Sequence, residues 1–407
     1  MKPNHVLVVF HTSFPRMQGG INVMIASLVQ QWSACGVRAS LFAPGDWDQR
    51  GLTEEHFGEI TLFKRRLRLF KDAKRPVRGV LGWLLELPAT LWTLHRLMRR
   101  EGVDLIHFHT PRDYQLHFLL LSWLGGPPFV VTFHGTDALE FAQGPKKARF
   151  VMRQIVQRAA AVTAVSRHYA ALLESAYPNL APIHTIANGI SSKECLEDAG
   201  VVLPDLPGKY WVMVGWVEPP KAQDVAVMAW GRVIAQQPDL HLLIIGDQPF
   251  LRPGVPYYPG FYDQVRQMTE ENGSAHRVHF LGTKTRPEVM AILRHAQGLI
   301  FPSHREGMPY VLLEAGVVGV PVVCNRIPPF TDILIHGESG LLTPDSDHEA
   351  LADAVVYLAG HPKQARSMGN ALQEVVRRDY SLEGMANGYL ALFRSLTGKP
   401  FARTPLP

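Results

Sequence analysis

Apolar residues fall along this chain in short, nearly unbroken runs. VLVVF (6–10), RASLFAP (38–44), DLIHFH (104–109), FVVTFHG (129–135), AVTAVS (161–166) and IHTIANGI (183–190) are separated by helical stretches such as the one near 20–35. Runs that do not alternate polar with apolar imply burial on both faces, and so parallel strands covered by helices. After a polar, proline-containing stretch, 191–210, the cycle repeats with WVMVGWV (211–217), LHLLIIG (240–246), VHFLG (278–282), GLIFPS (298–303) and PVVCN (321–325), and helices are expected over 223–236 and 287–295. This repeated strand–helix alternation predicts an α/β chain of doubly wound parallel sheets. At 407 residues the chain exceeds the ~250–300 residues at which one core stops growing. Two Rossmann-like domains are therefore expected, over 1–190 and 211–380, with 191–210 as the linker.

Composition narrows the class. With 46% apolar and 19% charged residues the chain is globular rather than disordered. Cys35, Cys195 and Cys324 stand more than a hundred residues apart, a spacing that offers neither a metal-ligand pair nor a disulfide framework, so a reducing cytoplasm is the expected compartment. MKPNHVLVVFHTSF reads as a first buried strand rather than a signal peptide. The longest apolar stretch, 79–94, contains Glu86 and Pro88, which argues against a bilayer-spanning helix of ~20 residues. Charge is uneven: residues 1–190 carry 22 Lys and Arg against 13 Asp and Glu, whereas the remainder holds 19 against 23. Much of the excess is local, since Lys64, Arg65, Arg66, Arg68, Lys71, Lys74, Arg75 and Arg78 are opposed only by Asp72. Such a cluster attracts anionic lipid, nucleic acid or an acidic substrate.

The segment richest in chemistry is FPSHREGMPYVLLEAGVVGVPVVC (301–324). A strand ends at Pro302-Ser303, a loop carries Glu306-Gly307-Met308-Pro309, and a helix holding Glu314 leads through Gly319 to the next strand. Two carboxylates thus flank a helix N-terminus, whose N–H groups and positive dipole end suit a diphosphate. Carboxylates also accept hydrogen bonds from vicinal hydroxyls, as in a sugar or ribose. Taken singly, each acid reads as a solvated surface group. Glu314, however, lies in YVLLEAGVVGV, a helix apolar nearly all round and so buried, where a carboxylate requires a partner.

This segment closely resembles the donor-binding signature of the retaining glycosyltransferases of family 4, which have the GT-B fold of two facing Rossmann-like domains. The resemblance implies that Glu306 contacts the donor sugar, that Glu314 binds the ribose hydroxyls, and that the amides of Gly307 and Met308, before Pro309, bond the sugar or phosphates. It extends over nearly the whole chain in the expected order. Gly19-Gly20, after the first strand, matches the family's glycine-rich loop, where close backbone approach and a helix start serve the donor phosphates; alone it would be an ordinary turn. His134, in VVTFHGTD, ends a strand where doubly wound sheets bind ligands, and matches the loop that faces the donor sugar. Without the resemblance it would be a structural imidazole satisfying the loop, and Asp137 a helix cap. Ser166 and Asn188-Gly189 also match family positions but are equally compatible with turns. The family's C-terminal helix returns to the N-terminal domain, as expected here for 381–407.

VMVGWVEPPKAQD (212–224) occupies the family's strand–loop–lysine position, at which an Arg and a Lys neutralise the diphosphate. Gly215 and Lys221 are present, but Trp216 stands at the Arg position and Ala222 where glycine usually follows the lysine. The lost guanidinium removes one charge-assisted contact of about 1.5–3 kcal/mol unless Arg305, Arg326 or another base replaces it. The resemblance implies retention through front-side attack, with His134, Lys221 and Glu306 as the catalytic set. Lys221 stabilises the departing diphosphate, Glu306 and His134 orient the sugar, and a leaving phosphate oxygen takes the acceptor proton. No cofactor or metal is expected, because protein groups supply the positive charge; the nucleotide-sugar, UDP-linked in preference to GDP-linked, is a substrate.

The acceptor is expected to be a glycan or a lipid-linked saccharide of cell-surface polysaccharide or lipopolysaccharide synthesis. In 63–100 the basic run precedes Trp83, Leu84, Leu85, Leu87, Leu91, Trp92 and Leu94, so residues 64–98 can rest on an anionic membrane, the inner face of the plasma membrane; the alternative is a core helix behind a solvated basic loop. Nucleic acid is not expected as a partner. Two other readings stay open: a GT-B sugar-nucleotide epimerase or phosphorylase, and a non-catalytic protein binding an anionic polymer. A Rossmann oxidoreductase is disfavoured, since no G-x-G-x-x-G follows the first strand.

Overall fold

The computed structural model describes residues 4–10, 20–46, 49, 51–69, 76–145, 149–180, 182–197, 200–201, 203, 205–252, 255–399 and 401. The chain divides into two compact units, 1–189 with 382–407, and 190–381.

Unit 1 is built on strands β1 (His5–Val9), β2 (Arg38–Pro44), β3 (Leu52–Phe57), β4 (Ile60–Arg65), β5 (Leu105–His109), β6 (Phe129–Phe133), β7 (Ala161–Ala164) and β8 (Ile183–Thr185), in the order β3-β4-β2-β1-β5-β6-β7-β8. All neighbours are parallel except β3 and β4, an antiparallel hairpin on the edge. That hairpin departs from the expected all-parallel sheet. Part of the basic run lies on it: Lys64 pairs with Glu55 across the hairpin, and Arg66 and Arg68, just beyond, both reach Glu86. The central strands β1, β5 and β6 are buried throughout, which is why their apolar runs are continuous.

Helix Pro76–Glu101 leads into β5, and its 26 residues span about 39 Å against roughly 16 Å for a five-residue strand. Its C-terminal half packs through Leu94, Leu97 and Met98 and exposes Trp92, while the first half runs past the sheet at the C-terminal ends of the strands, exposing Leu81, Leu84 and Leu85. Among the described residues no helix is long and apolar enough to cross a membrane. Helix Leu382–Thr397 belongs to this unit too. Tyr389 and Phe393 pack against Trp32 and His107, with ring centroids 4.8–6.1 Å apart, and Trp32 Nε1 donates to the Ala386 carbonyl. Aromatic side chains of this kind bury on the order of 150–250 Å² each, about 4–6 kcal/mol before entropy.

Unit 2 has β9 (Tyr210–Val214), β10 (His241–Ile245), a small hairpin of β11 (Phe250–Arg252) and β12 (Val255–Pro256), then β13 (Val278–Phe280), β14 (Gly298–Phe301), β15 (Val322–Asn325) and β16 (Leu341–Thr343). The main sheet is parallel, in the order β13-β10-β9-β14-β15-β16. Strand order reverses at β9–β14, the switch point where such sheets bind ligands. The stretch read as a linker holds a helix, Ser192–Leu196, that contacts helices Arg286–His295 and Tyr310–Val318, with Cys195 buried.

Candidate functional site

In unit 2 the expected donor residues gather at the ends of β9 and β14. Beyond β9 the chain passes Gly215, which bonds the Ile245 carbonyl, and turns through a 3-10 helix, Pro219–Lys221. This crossing is tight. Gly246, with φ +139°, lies so close that a Cβ there would stand 1.9 Å from the Gly215 carbonyl oxygen, so only glycine fits. The His304 N–H donates to the Pro220 carbonyl (3.0 Å) and ties the loop after β14 to this turn. The tie delivers Lys221 Nζ to Glu306 Oε1 at 2.6 Å, with Nζ 5.6 Å from the Phe301 ring centroid.

Both side chains of the pair are mostly buried, so Coulomb attraction there is screened less than on the surface. Glu218 stands within charge range of Lys221, Glu306 and Arg305; burial raises its carboxyl, Lys221 and Arg305 opposing. Gly307, buried Met308 and Pro309 complete the loop into helix Tyr310–Val318, which no side chain caps. An uncapped start beside Lys221 offers backbone donors and the positive end of the helix dipole. The loop's other side is held by Asn325 Nδ2, which donates to the Pro302 carbonyl and to Asp345, itself paired with His304 at 2.6 Å.

Two departures from the family pattern have structural consequences. Ala222 adopts φ +59°, ψ +46°, the left-handed conformation that suits glycine and costs alanine about 1–2 kcal/mol. Trp216 is half-buried, and its carbonyl accepts from Gln223 Nε2 at 2.8 Å. Arg305 and Arg326, the expected substitutes for the missing guanidinium, are both exposed.

The partner that the burial of Glu314 demands is Arg286, whose Nε donates to Oε1 at 3.1 Å. Burial raises the Glu314 carboxyl, and Arg286 opposes the shift. Nothing in the sequence pointed to Arg286. The visible signal at 285–288 is a capping box, in which Glu288 bonds the Thr285 N–H and hydroxyl, and that explains only a helix start.

In unit 1, His134 follows β6 and is buried. Its Nε2 lies 2.8 Å from His109 Nδ1, and the rings stack with centroids 5.1 Å apart. His107 packs against His109 in turn, tilted by 46° with centroids 4.1 Å apart, and bonds Thr132 Oγ1. Burial lowers all three imidazoles: His107 to about 3, His134 to about 4, and His109 well below its usual value, so they are neutral near pH 7. Asp137 does more than cap a helix. Its carboxylate accepts from the N–H groups of His134, Gly135 and Ala138 and shapes the loop around Gly135 (φ +135°); burial pushes it up to about 6. The pairing of His109 with His134 was hidden in the sequence, although the i, i+2 spacing already put His107 and His109 on one face of β5.

Gly20 starts helix Gly20–Ala34 and is exposed, whereas Gly19 lies outside the described residues. Ser166 caps helix Arg167–Ala176 through the Tyr169 N–H, Asn188 is buried, and Gly189 N–H donates to Met385 Sδ. Among the described residues no group of three or more His, Cys, Asp or Glu is gathered to hold a metal ion.

Comparison with known proteins agrees with this architecture. Residues 18–194 match the family described as Glycosyltransferase Family 4, and residues 199–375 match Glycosyl transferases group 1. The chain is 26% identical over 403 residues to the D-inositol 3-phosphate glycosyltransferase of Corynebacterium urealyticum, covering 94% of this chain and 92% of that one. Among solved structures, the sucrose-phosphate synthase of Thermosynechococcus elongatus superposes with a TM-score of 0.76 at 21% identity, over 97% of this chain and 99% of that one. Anabaena HepE in complex with UDP and glucose gives 0.70 at 16%, over 96% and 99%. The chain belongs to glycosyltransferase family 4 and has the GT-B fold.

Proposed function

We propose that this family 4 glycosyltransferase moves a hexose, with retention at the anomeric carbon, from a nucleoside-diphosphate sugar to a saccharide or lipid-linked saccharide in cell-surface polysaccharide synthesis. One observation carries the reading: the Lys221–Glu306 contact at 2.6 Å, set beside an uncapped helix start at the switch point of the sheet. A diphosphate arriving there takes Lys221 from Glu306, and the released carboxylate then accepts hydrogen bonds from sugar hydroxyls. As the bond to the anomeric carbon breaks, charge grows on the departing diphosphate, where Lys221 and the helix N–H groups stabilise it most. A leaving phosphate oxygen takes the acceptor proton, and neither metal nor cofactor has a part. His134 is assigned to the sugar hydroxyls as a neutral group, and Glu314 to the ribose.

UDP is favoured over GDP; the solved relative HepE holds UDP and glucose. For the acceptor, the exposed stripe of Leu81, Leu84, Leu85 and Trp92, with Arg96 stacked 5.3 Å from the Trp92 ring, supports peripheral binding to an anionic bilayer on its cytoplasmic face. Arg66 and Arg68 contribute less positive charge than the sequence implied, being paired with Glu86; Lys71, Lys74 and Arg75 lie outside the described residues.

The test is a thermal-shift screen with UDP, GDP and their sugars, followed by NMR of the product's anomeric proton. A ligand held only by the folded protein raises Tm. No shift with any sugar nucleotide, or an inverted product, would end the proposal.

A further inference from the structure

We infer that Arg286 is a positioning residue for the donor: it orients and charges Glu314 so that one carboxylate oxygen is left to take the ribose hydroxyls. The inference rests on the assignment of Glu314 to the ribose in the proposed function. Arg286 opens helix Arg286–His295, and its guanidinium is shared three ways. Nε donates to Glu314 Oε1 (3.1 Å), Nη1 to Glu194 Oε2 (3.1 Å) and Nη2 to Cys195 Sγ (3.3 Å), while the plane lies over the Tyr310 ring with Cζ 5.6 Å from its centroid. Three helices, Ser192–Leu196, Arg286–His295 and Tyr310–Val318, are joined through this one group.

A guanidinium suits the task because its donors are fixed in a plane, so fastening two of them to Glu194 and Cys195 sets the direction of the third. Glu314 is thereby bonded on Oε1 only, and Oε2 makes no hydrogen bond among the described residues. A carboxylate with one oxygen anchored and the other open is prepared to accept from a hydroxyl without first breaking a bidentate pair.

Charge follows from the same contact. The groups acting on Glu314 and its partner are Arg286, Glu194, Cys195 and Tyr310. Helix Pro362–Asp379, against the other side of Tyr310–Val318, contributes Leu372 and Val376 beside Gly316 and the Gln373 amide on the Val317 carbonyl, all uncharged. Arg286 is thus the cation that keeps the buried carboxylate ionised. Without it the Glu314 carboxyl rises further, and the ionised form is depleted first at the acid end of the working range.

The experiment measures binding of UDP and GDP by calorimetry between pH 5.5 and 8.5, with 2′,3′-dideoxy analogues beside them, for the parent, Arg286→Gln, Glu314→Gln and the double variant. Arg286→Gln is expected to weaken the ribonucleotide roughly tenfold or more, as for a hydrogen bond to a charged group. The loss should be largest at low pH and shrink as pH rises. The dideoxy analogue should bind the parent and Arg286→Gln alike, and the double variant should be no weaker than Glu314→Gln alone. Glu194→Gln, whose amide oxygen still accepts from Nη1 and so keeps the guanidinium aimed at Glu314, should bind normally. An equal loss for both analogues, or one independent of pH, overturns the inference and leaves Arg286 a helix staple. If Glu314→Gln itself binds the ribonucleotide like the parent, the ribose assignment fails instead. Should Arg286→Gln not fold, Arg286→Lys, which keeps the charge but not the fork, should still weaken the ribonucleotide against its dideoxy analogue, now without the pH dependence. Equal losses for the two analogues would overturn the positioning role.

Discussion

Replacing Lys221 with alanine removes the ammonium that stands 2.6 Å from Glu306 and 5.6 Å from the Phe301 ring, at a side chain 20% exposed. One charge-assisted hydrogen bond to a phosphate is worth about 1.5–3 kcal/mol, so the variant should lose a factor of roughly 10–150 in kcat/KM. The loss should not be uniform. Charge on the diphosphate is greater as it departs than in the intact sugar nucleotide, so kcat should fall further than UDP-sugar affinity, and binding of free UDP should suffer more than binding of UDP-glucose. Added salt should narrow the gap between variant and parent by screening the interaction that the parent retains. Folding should be nearly unaffected, with Tm within about 2–4 °C of the parent, a change of about 1 kcal/mol in a unit of this size. The assay is release of nucleoside diphosphate under saturating and limiting donor, with calorimetry for both ligands. If kcat/KM changes by less than about threefold while Tm holds, Lys221 does not meet the diphosphate and the donor site has been misassigned.

Gly246→Ala should cost several kcal/mol, about 3 or more, because the new Cβ meets the Gly215 carbonyl at 1.9 Å and φ is +139°; a Tm equal to the parent's would show that the strand ends are not so closely set. Acid should weaken unit 1: His107 and His134 titrate near 6.5 when unfolded but at about 3 and about 4 when folded, so stability is full above pH 6.5 and is lost as pH falls toward 4. Asp137, raised to about 6, acts oppositely over pH 4–6 but is one group against three, so Tm should drop between pH 7 and 5; a flat profile would contradict the burial of the imidazoles. Leu85→Asp with Trp92→Ser should abolish sedimentation with phosphatidylglycerol vesicles and leave transfer to a soluble acceptor intact, whereas unchanged sedimentation would remove helix Pro76–Glu101 from the membrane reading.

The buried strands and the donor loop were legible because burial on both faces writes an unbroken apolar run, and because Glu306 and Glu314 bracket a helix whose apolar circumference announces its depth. The β3–β4 hairpin was not. Its first strand, LTEEHF, sits on an exposed edge where polar residues are tolerated, and its second carries the first of the basic residues that read as a loop. Glu314 could be seen to need a cation, but Arg286 lies 28 residues away on another helix, and only the tertiary fold brings the two together. His109 was readable as a strand residue, yet its hydrogen bond to His134 depends on β5 lying beside β6, a neighbour relation that no local pattern specifies.

The interrupted course of unit 1 has a consequence for synthesis. Residues 382–397 supply Tyr389 and Phe393 to cover Trp32 and His107, so a nascent chain has translated all of 190–381 before this aromatic layer can close. The later-born unit can finish first on the ribosome, leaving an early aromatic surface waiting for the tail, and a stop codon near residue 380 would strand that surface in water for good.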